Sequence, residues 1–61
     1  MGKENIVEEM NRNMEEFKTN YENLMENDNK SAGRRARKNL AVAKKLAVQV
    51  RKDIQEKLNS L

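Results

Sequence analysis

Five of the eleven residues in NKSAGRRARKN, Asn29 to Asn39, are Lys or Arg, set among small Ala and Gly residues. Lys and Arg side chains bind anions, and on a rigid element their spacing decides which anions they can follow. On a helix, at about 100° per residue, Arg34, Lys38, Lys45 and Lys52 project within about 40° of one another, with Arg37 close by. The stripe they form is about 27 Å long at 1.5 Å per residue. A rigid stripe of that length can track duplex phosphates, and each cation that engages one gains by releasing counterions. The candidate phosphate contacts are therefore Arg34, Arg35, Arg37, Lys38, Lys45 and Lys52, supported by Lys30, Lys44 and Arg51. A run of charges is more often simply a solvated face. Here the sorting of the acids elsewhere weighs against that reading.

Other chemistries find little support. The chain has no His and no Cys, which removes the usual general base near neutral pH and the thiolate metal ligands. Hydroxyls are confined to Ser31, Ser60 and Thr19 beside Tyr21, and the adjacent pairs Glu8–Glu9 and Glu15–Glu16 diverge on a helix. No nucleophile–base pair emerges, so neither an enzyme, a cofactor, a metal nor a small-molecule substrate is expected. Met10, Met14 and Met25 read as core filling rather than as an adaptable peptide groove, because they keep the spacing of a packed seam. Phe17 and Tyr21 fall on that seam too, leaving no exposed platform for stacking bases.

The net charge of +3 hides a division. Residues 1–29 hold three cations against eight acids, a net of −5, and residues 30–61 hold ten cations against two acids, a net of +8. Such asymmetry points towards nucleic acid or a membrane surface. Glu4, Glu8, Glu15, Glu22 and Glu26 gather within about 40° on the first helix, so a phosphate partner is expected to meet the second half alone. The same acids are placed to pair with cations across the hairpin or between subunits.

Two long helices must carry these faces. The sequence contains no Pro and one internal Gly, Gly33. Val7, Met10, Met14, Phe17, Tyr21 and Leu24 are spaced 3, 4, 3, 4, 3, a heptad seam. Ala36, Leu40, Ala43, Ala47, Val50, Ile54 and Leu61 continue the rhythm in the second half, interrupted at Lys57. Between them, ENDNKS supplies the helix-capping residues Asp28, Asn29 and Ser31. The expected architecture is all-α: one antiparallel helical hairpin, with helix 1 over about 3–27, a turn at about 28–31 and helix 2 over about 31–60. Gly33, with Ala32 and Ala36, strips bulk from the start of the second helix. That leaves room either for a phosphate at the helix N-terminus or for close approach of the facing helix.

A two-helix chain of 61 residues has little interior. Ile6, Met25, Leu46 and Leu58 cannot all face one partner helix, so a homodimer, a four-helix bundle or coiled coil, is the physical expectation, with higher homo-oligomers open. No run approaches the roughly 20 apolar residues of a membrane span. The N-terminus lacks a signal-peptide core, and a cytoplasmic setting is expected. A membrane-surface helix is disfavoured by the lack of Trp and Phe on the apolar side of the second helix.

GRRARKNL followed by LAVQVRKDIQEKLNS resembles the bacterial linker-histone-like nucleoproteins, the chlamydial type and its short relatives in Bacteroidetes. Their NKAAG-x-R-x-RK segment is matched by Asn29, Lys30, Ala32, Gly33, Arg35, Arg37 and Lys38. An IRK-x-IQ-x-K-like run is matched by Val50, Arg51, Lys52, Ile54, Gln55 and Lys57, and Phe17 and Tyr21 fit the aromatic end of the first helix. The resemblance implies a nucleoid-located, DNA-compacting protein built on a helical hairpin. Longer chlamydial members add a Lys/Ala/Pro-rich tail. The alternative that follows is a hairpin acting as an oligomerisation or protein-interaction module without DNA contact.

Overall fold

A computed structural model describes residues 5–61. They form two α-helices: α1, Ile6–Asn27, and α2, Lys30–Asn59, packed along each other. The expected start of the first helix near residue 3 lies outside the described residues. Asn5 begins α1, its side chain accepting from the Val7 N–H at 2.8 Å. Asp28 ends it in the left-handed region at φ 53°, where a short polar side chain is tolerated better than a bulky one. Asn29 then caps α2, its side-chain oxygen accepting from the Ala32 N–H at 3.0 Å. Asp28 and Asn29 are therefore the whole turn, shorter than the four residues expected from sequence.

The residues that meet across the hairpin are not quite those of the expected seam. On α1 the inward line is Ile6, Met10, Asn13, Phe17, Asn20 and Leu24; on α2 it is Ala32, Ala36, Asn39, Ala43, Leu46 and Val50. Both lines step 4, 3, 4, 3, 4 along the sequence. Val7, Met14 and Tyr21, expected inside, are 52%, 41% and 46% exposed, and Leu40 and Ile54 are 49% and 54% exposed. Ala47 and Leu61 are exposed as well. Each helix thus carries two interleaved heptad lines, and the hairpin closes on the one that contains asparagine. A purely apolar line is left facing out.

Asparagine at the centre is tolerable because it is satisfied. Asn13 and Asn39 are 8% and 7% exposed. The Asn13 amide donates to the Asn39 backbone carbonyl at 2.8 Å, and the Asn39 amide donates to Asn13 Oδ1 at 2.9 Å. Asn20 donates to Asn39 Oδ1 at 3.0 Å, and the Asn39 amide also reaches Glu16 Oε1 at 3.3 Å. Among the described residues no buried side-chain polar atom lacks a partner. A slide of one helix by a turn or a heptad would bury these amides against Ala or Leu, at about 1–3 kcal/mol for each unpaired group.

Near the turn the helices approach through small residues. Ala32 is fully buried and Ala36 nearly so. A Cβ placed on Gly33 would lie 3.1 and 3.2 Å from the two Leu24 methyl carbons. The bareness of Gly33 therefore serves the close approach of α1. From Arg51 onward every residue is exposed, because α2 has 30 residues and α1 has 22.

Two stability measurements follow, both by circular-dichroism melting at matched protein concentration. Asn39→Leu leaves Asn13 Oδ1 without its donor and the Asn20 amide without its acceptor, while the Asn13 amide keeps the backbone carbonyl at position 39; it should cost about 1–3 kcal/mol, whereas Asn13→Leu combined with Asn39→Leu should recover much of that loss. A single variant as stable as the parent would show that the network contributes nothing. Gly33→Leu should cost about 1–3 kcal/mol by overpacking against Leu24; Gly33→Ala should be tolerated, since the half-exposed Leu24 side chain can shift by a few tenths of an ångström.

Candidate nucleic-acid interface

The inward line of α2 fixes where its cations point. With Ala32, Ala36 and Ala43 directed at α1, the opposite edge carries Lys30, Arg34, Arg37, Lys38, Lys45 and Lys52. All nine predicted contacts are exposed, and the helix brings these six into one outer stripe. The other three sit off it. Arg35 turns to one face of the hairpin, where its Nε donates to Asn20 Oδ1 at 3.2 Å and joins the asparagine network. Lys44 and Arg51 border the opposite face, beside Leu40, Ala47 and Ile54.

Glu8, Glu15, Glu22 and Glu26 are exposed and occupy the matching outer edge of α1; Glu4 lies outside the described residues. The Cα trace is 49 Å long, 24 Å wide and 12 Å thick. The hairpin is thus a flat plate with a basic edge and an acidic edge across its width. At physiological salt the screening length is about 8 Å, shorter than that width. A phosphate held on the basic edge therefore feels little of the acids on the far edge of the same chain.

The start of α2 offers phosphate less than the sequence suggested. Ala32 N–H is already held by Asn29 Oδ1, Ala32 is buried, and Gly33 faces Leu24. The stripe itself is left as the candidate for anion binding. Tyr21 corrects another expectation, being 46% exposed rather than enclosed in the seam, with its ring 5.7 Å from that of Phe17 and tilted by 30°. Sequence reasoning missed Asn13, Asn20 and Asn39 altogether. Their signal was positional, since they complete the second heptad line, but their polarity disguised it.

Among the described residues there is no cluster of metal-ligating side chains, and no helix is long and apolar enough to cross a membrane. Two helices with one edge of cations define a class, a small basic all-α protein. The particular family follows from the sequence as a whole. The family model of the histone H1-like protein Hc1 matches residues 4–60, and the chain belongs to that histone-like, DNA-binding family. The family resemblance seen in the NKSAGRRARK segment is therefore correct. No curated protein and no solved structure matches the chain.

Proposed function

We propose that the protein binds double-stranded DNA without sequence preference, gripping phosphates with the outer edge of α2, and that it does so as a homodimer in the bacterial nucleoid. The observation that carries this reading is the stripe of Lys30, Arg34, Arg37, Lys38, Lys45 and Lys52 on one rigid edge, with the acids of α1 on the other. Phosphate contacts position a protein without reading bases. None of the six stripe residues is Asn, Gln, Asp or Glu, the side chains that read adenine and cytosine edges. Homodimerisation is supported by the apolar line that the hairpin leaves uncovered, which includes Val7, Met14, Tyr21 and Leu40.

The alternative, an assembly module without DNA contact, draws on that same apolar line. A labelled random-sequence duplex titrated by fluorescence anisotropy separates the two. Affinity should be equal for unrelated duplexes and fall steeply with salt. The log–log slope should be near ~−4 where one stripe of about four cations engages, and near ~−7 where a dimer lays two stripes on one duplex. Arg34→Glu, Lys38→Glu and Lys45→Glu combined should abolish binding and leave helicity unchanged, because all three side chains are exposed. Absence of binding by the parent at low salt would leave the assembly module standing.

A further inference from the structure

Arg35 differs from the other predicted phosphate contacts in being held from inside the hairpin. Its Nε donates to Asn20 Oδ1 at 3.2 Å, the Asn20 amide donates to Asn39 Oδ1 at 3.0 Å, and the Asn39 amide donates to Asn13 Oδ1 at 2.9 Å. A line of hydrogen bonds thus runs from the buried centre to an exposed guanidinium. A surface arginine ordinarily samples many rotamers and loses them when it grips an anion, which weakens binding. Arg35 is already restrained before any anion arrives.

The restraint uses Nε alone. Among the described residues Asn20 is the only hydrogen-bond partner of Arg35, so the Nη donors at the end of the fork stay available. A guanidinium fork suits two oxygens of one phosphate. On the face to which Arg35 turns, Arg35 and Asn20 wall two adjoining hollows, and Lys38 of the outer stripe lines one of them. Arg35 and Lys38 are three residues apart on α2, hence neighbours on its surface, and Arg34 adjoins Lys38 at four.

The acids close to Arg35 all belong to α1. Glu16 lines both hollows and Glu15 one, and Glu16 accepts from the Asn39 amide at 3.3 Å. Arg12 lies on the same flank of α1 as Glu16. From Lys30 to Lys52, α2 contains no acid. Asp53 and Glu56 begin about 27 Å along the helix from Arg35, past the screening length of about 8 Å.

We infer that Arg35 is a phosphate contact beside the outer stripe and that Asn20, on the acidic helix, is the positioning residue that presents it. The duplex then lies over the corner between the basic edge and this polar face. The placement rests on the DNA-binding reading above and deepens it. Arg34, Arg35 and Lys38 meet one stretch of backbone together, whereas Lys44, on the opposite flank, stands clear of it.

The test is the anisotropy titration of a random-sequence duplex at several salt concentrations, with the fold of each variant checked by circular dichroism. For each hairpin engaged, Arg35→Ala should weaken binding about tenfold at about 0.1 M salt and make the log–log slope shallower by about 1. Asn20→Ala should weaken binding about two- to tenfold with the slope unchanged, because the contact is still made but Arg35 must first be ordered. In an Arg35→Ala background, Asn20→Ala should add no further loss. Arg35→Lys keeps the charge without the Nε–H or the fork, and should weaken binding with the slope kept. Lys44→Ala should cost less affinity than Arg35→Ala. Arg35 is exposed, so its two variants judge the contact even where Asn20→Ala loses its fold. Parent-like binding by any of Arg35→Ala, Arg35→Lys or Asn20→Ala overturns the inference and leaves DNA binding intact. So does an Asn20→Ala loss that is as large without Arg35 as with it, or Lys44→Ala proving as damaging as Arg35→Ala. Absence of binding by the parent at low salt overturns the DNA-binding reading and this placement with it.

Discussion

The hairpin depends on two asparagines that satisfy each other across its centre. Alanine, leucine and valine in a narrow two-helix contact offer little to choose between one register and the next, because apolar surfaces slide past each other at small cost. Asn13 and Asn39 remove that freedom: each buries an amide whose acceptor lies on the opposite helix. Asn20 and Glu16 complete the acceptor and donor count, and Arg35 ties the network to the surface. The energy involved is modest, since a satisfied hydrogen bond contributes about 1 kcal/mol net. Its larger effect is on specificity. Only one alignment leaves no buried amide stranded, and that alignment sets the rotation of both helices about their axes.

Rotation is what turns sequence into charge geometry. Once Ala36, Asn39 and Ala43 point inward, Arg34, Lys38, Lys45 and Lys52 have no choice but to point outward. The same logic sends Glu8, Glu15 and Glu22 to the far edge. A plate only 12 Å thick cannot hide either set. Charge segregation in the sequence therefore becomes charge segregation across the width of the molecule, with the helices acting as the spacer. The residues that hold the hairpin together and those of the proposed phosphate stripe are different residues of the same helix. Arg35 alone belongs to the internal network and to the predicted contact set.

Much of this was legible in the amino-acid sequence, for identifiable reasons. The absence of Pro, the single internal Gly and the Asn caps made two helices and one reversal readable, and sorting of the charges made the basic stripe readable. The apolar seam was read as a set but not as a direction. Met10, Phe17 and Leu24 belong to both possible lines, and the choice between Val7–Met14–Tyr21 and Ile6–Asn13–Asn20 favours the apolar one when hydrophobicity is the guide. The fold takes the other because Asn13 finds an acceptor on α2 that no helical wheel of one segment can reveal. The small residues at Ala32 and Gly33 were equally ambiguous until Leu24 was placed against them.

The two-residue reversal at Asp28 and Asn29 also sets the order in which the molecule can assemble. Closing so short a loop costs little chain entropy, and contacts between Leu24 and the start of α2 are nearly local in sequence. Pairing can therefore begin at the reversal and zip outward, each turn of helix bringing the next pair into reach. Beyond Val50, α2 runs past the described length of α1 and every residue is exposed. Around and beyond that point, side chains link within the helix, Gln49 donating to Asp53 Oδ1 at 3.0 Å and Gln55 to Asn59 Oδ1 at 3.2 Å. Isolated stretches of helix this short are marginal in water. The amide hydrogens at the far end of α2 are therefore expected to exchange with solvent before those near the reversal.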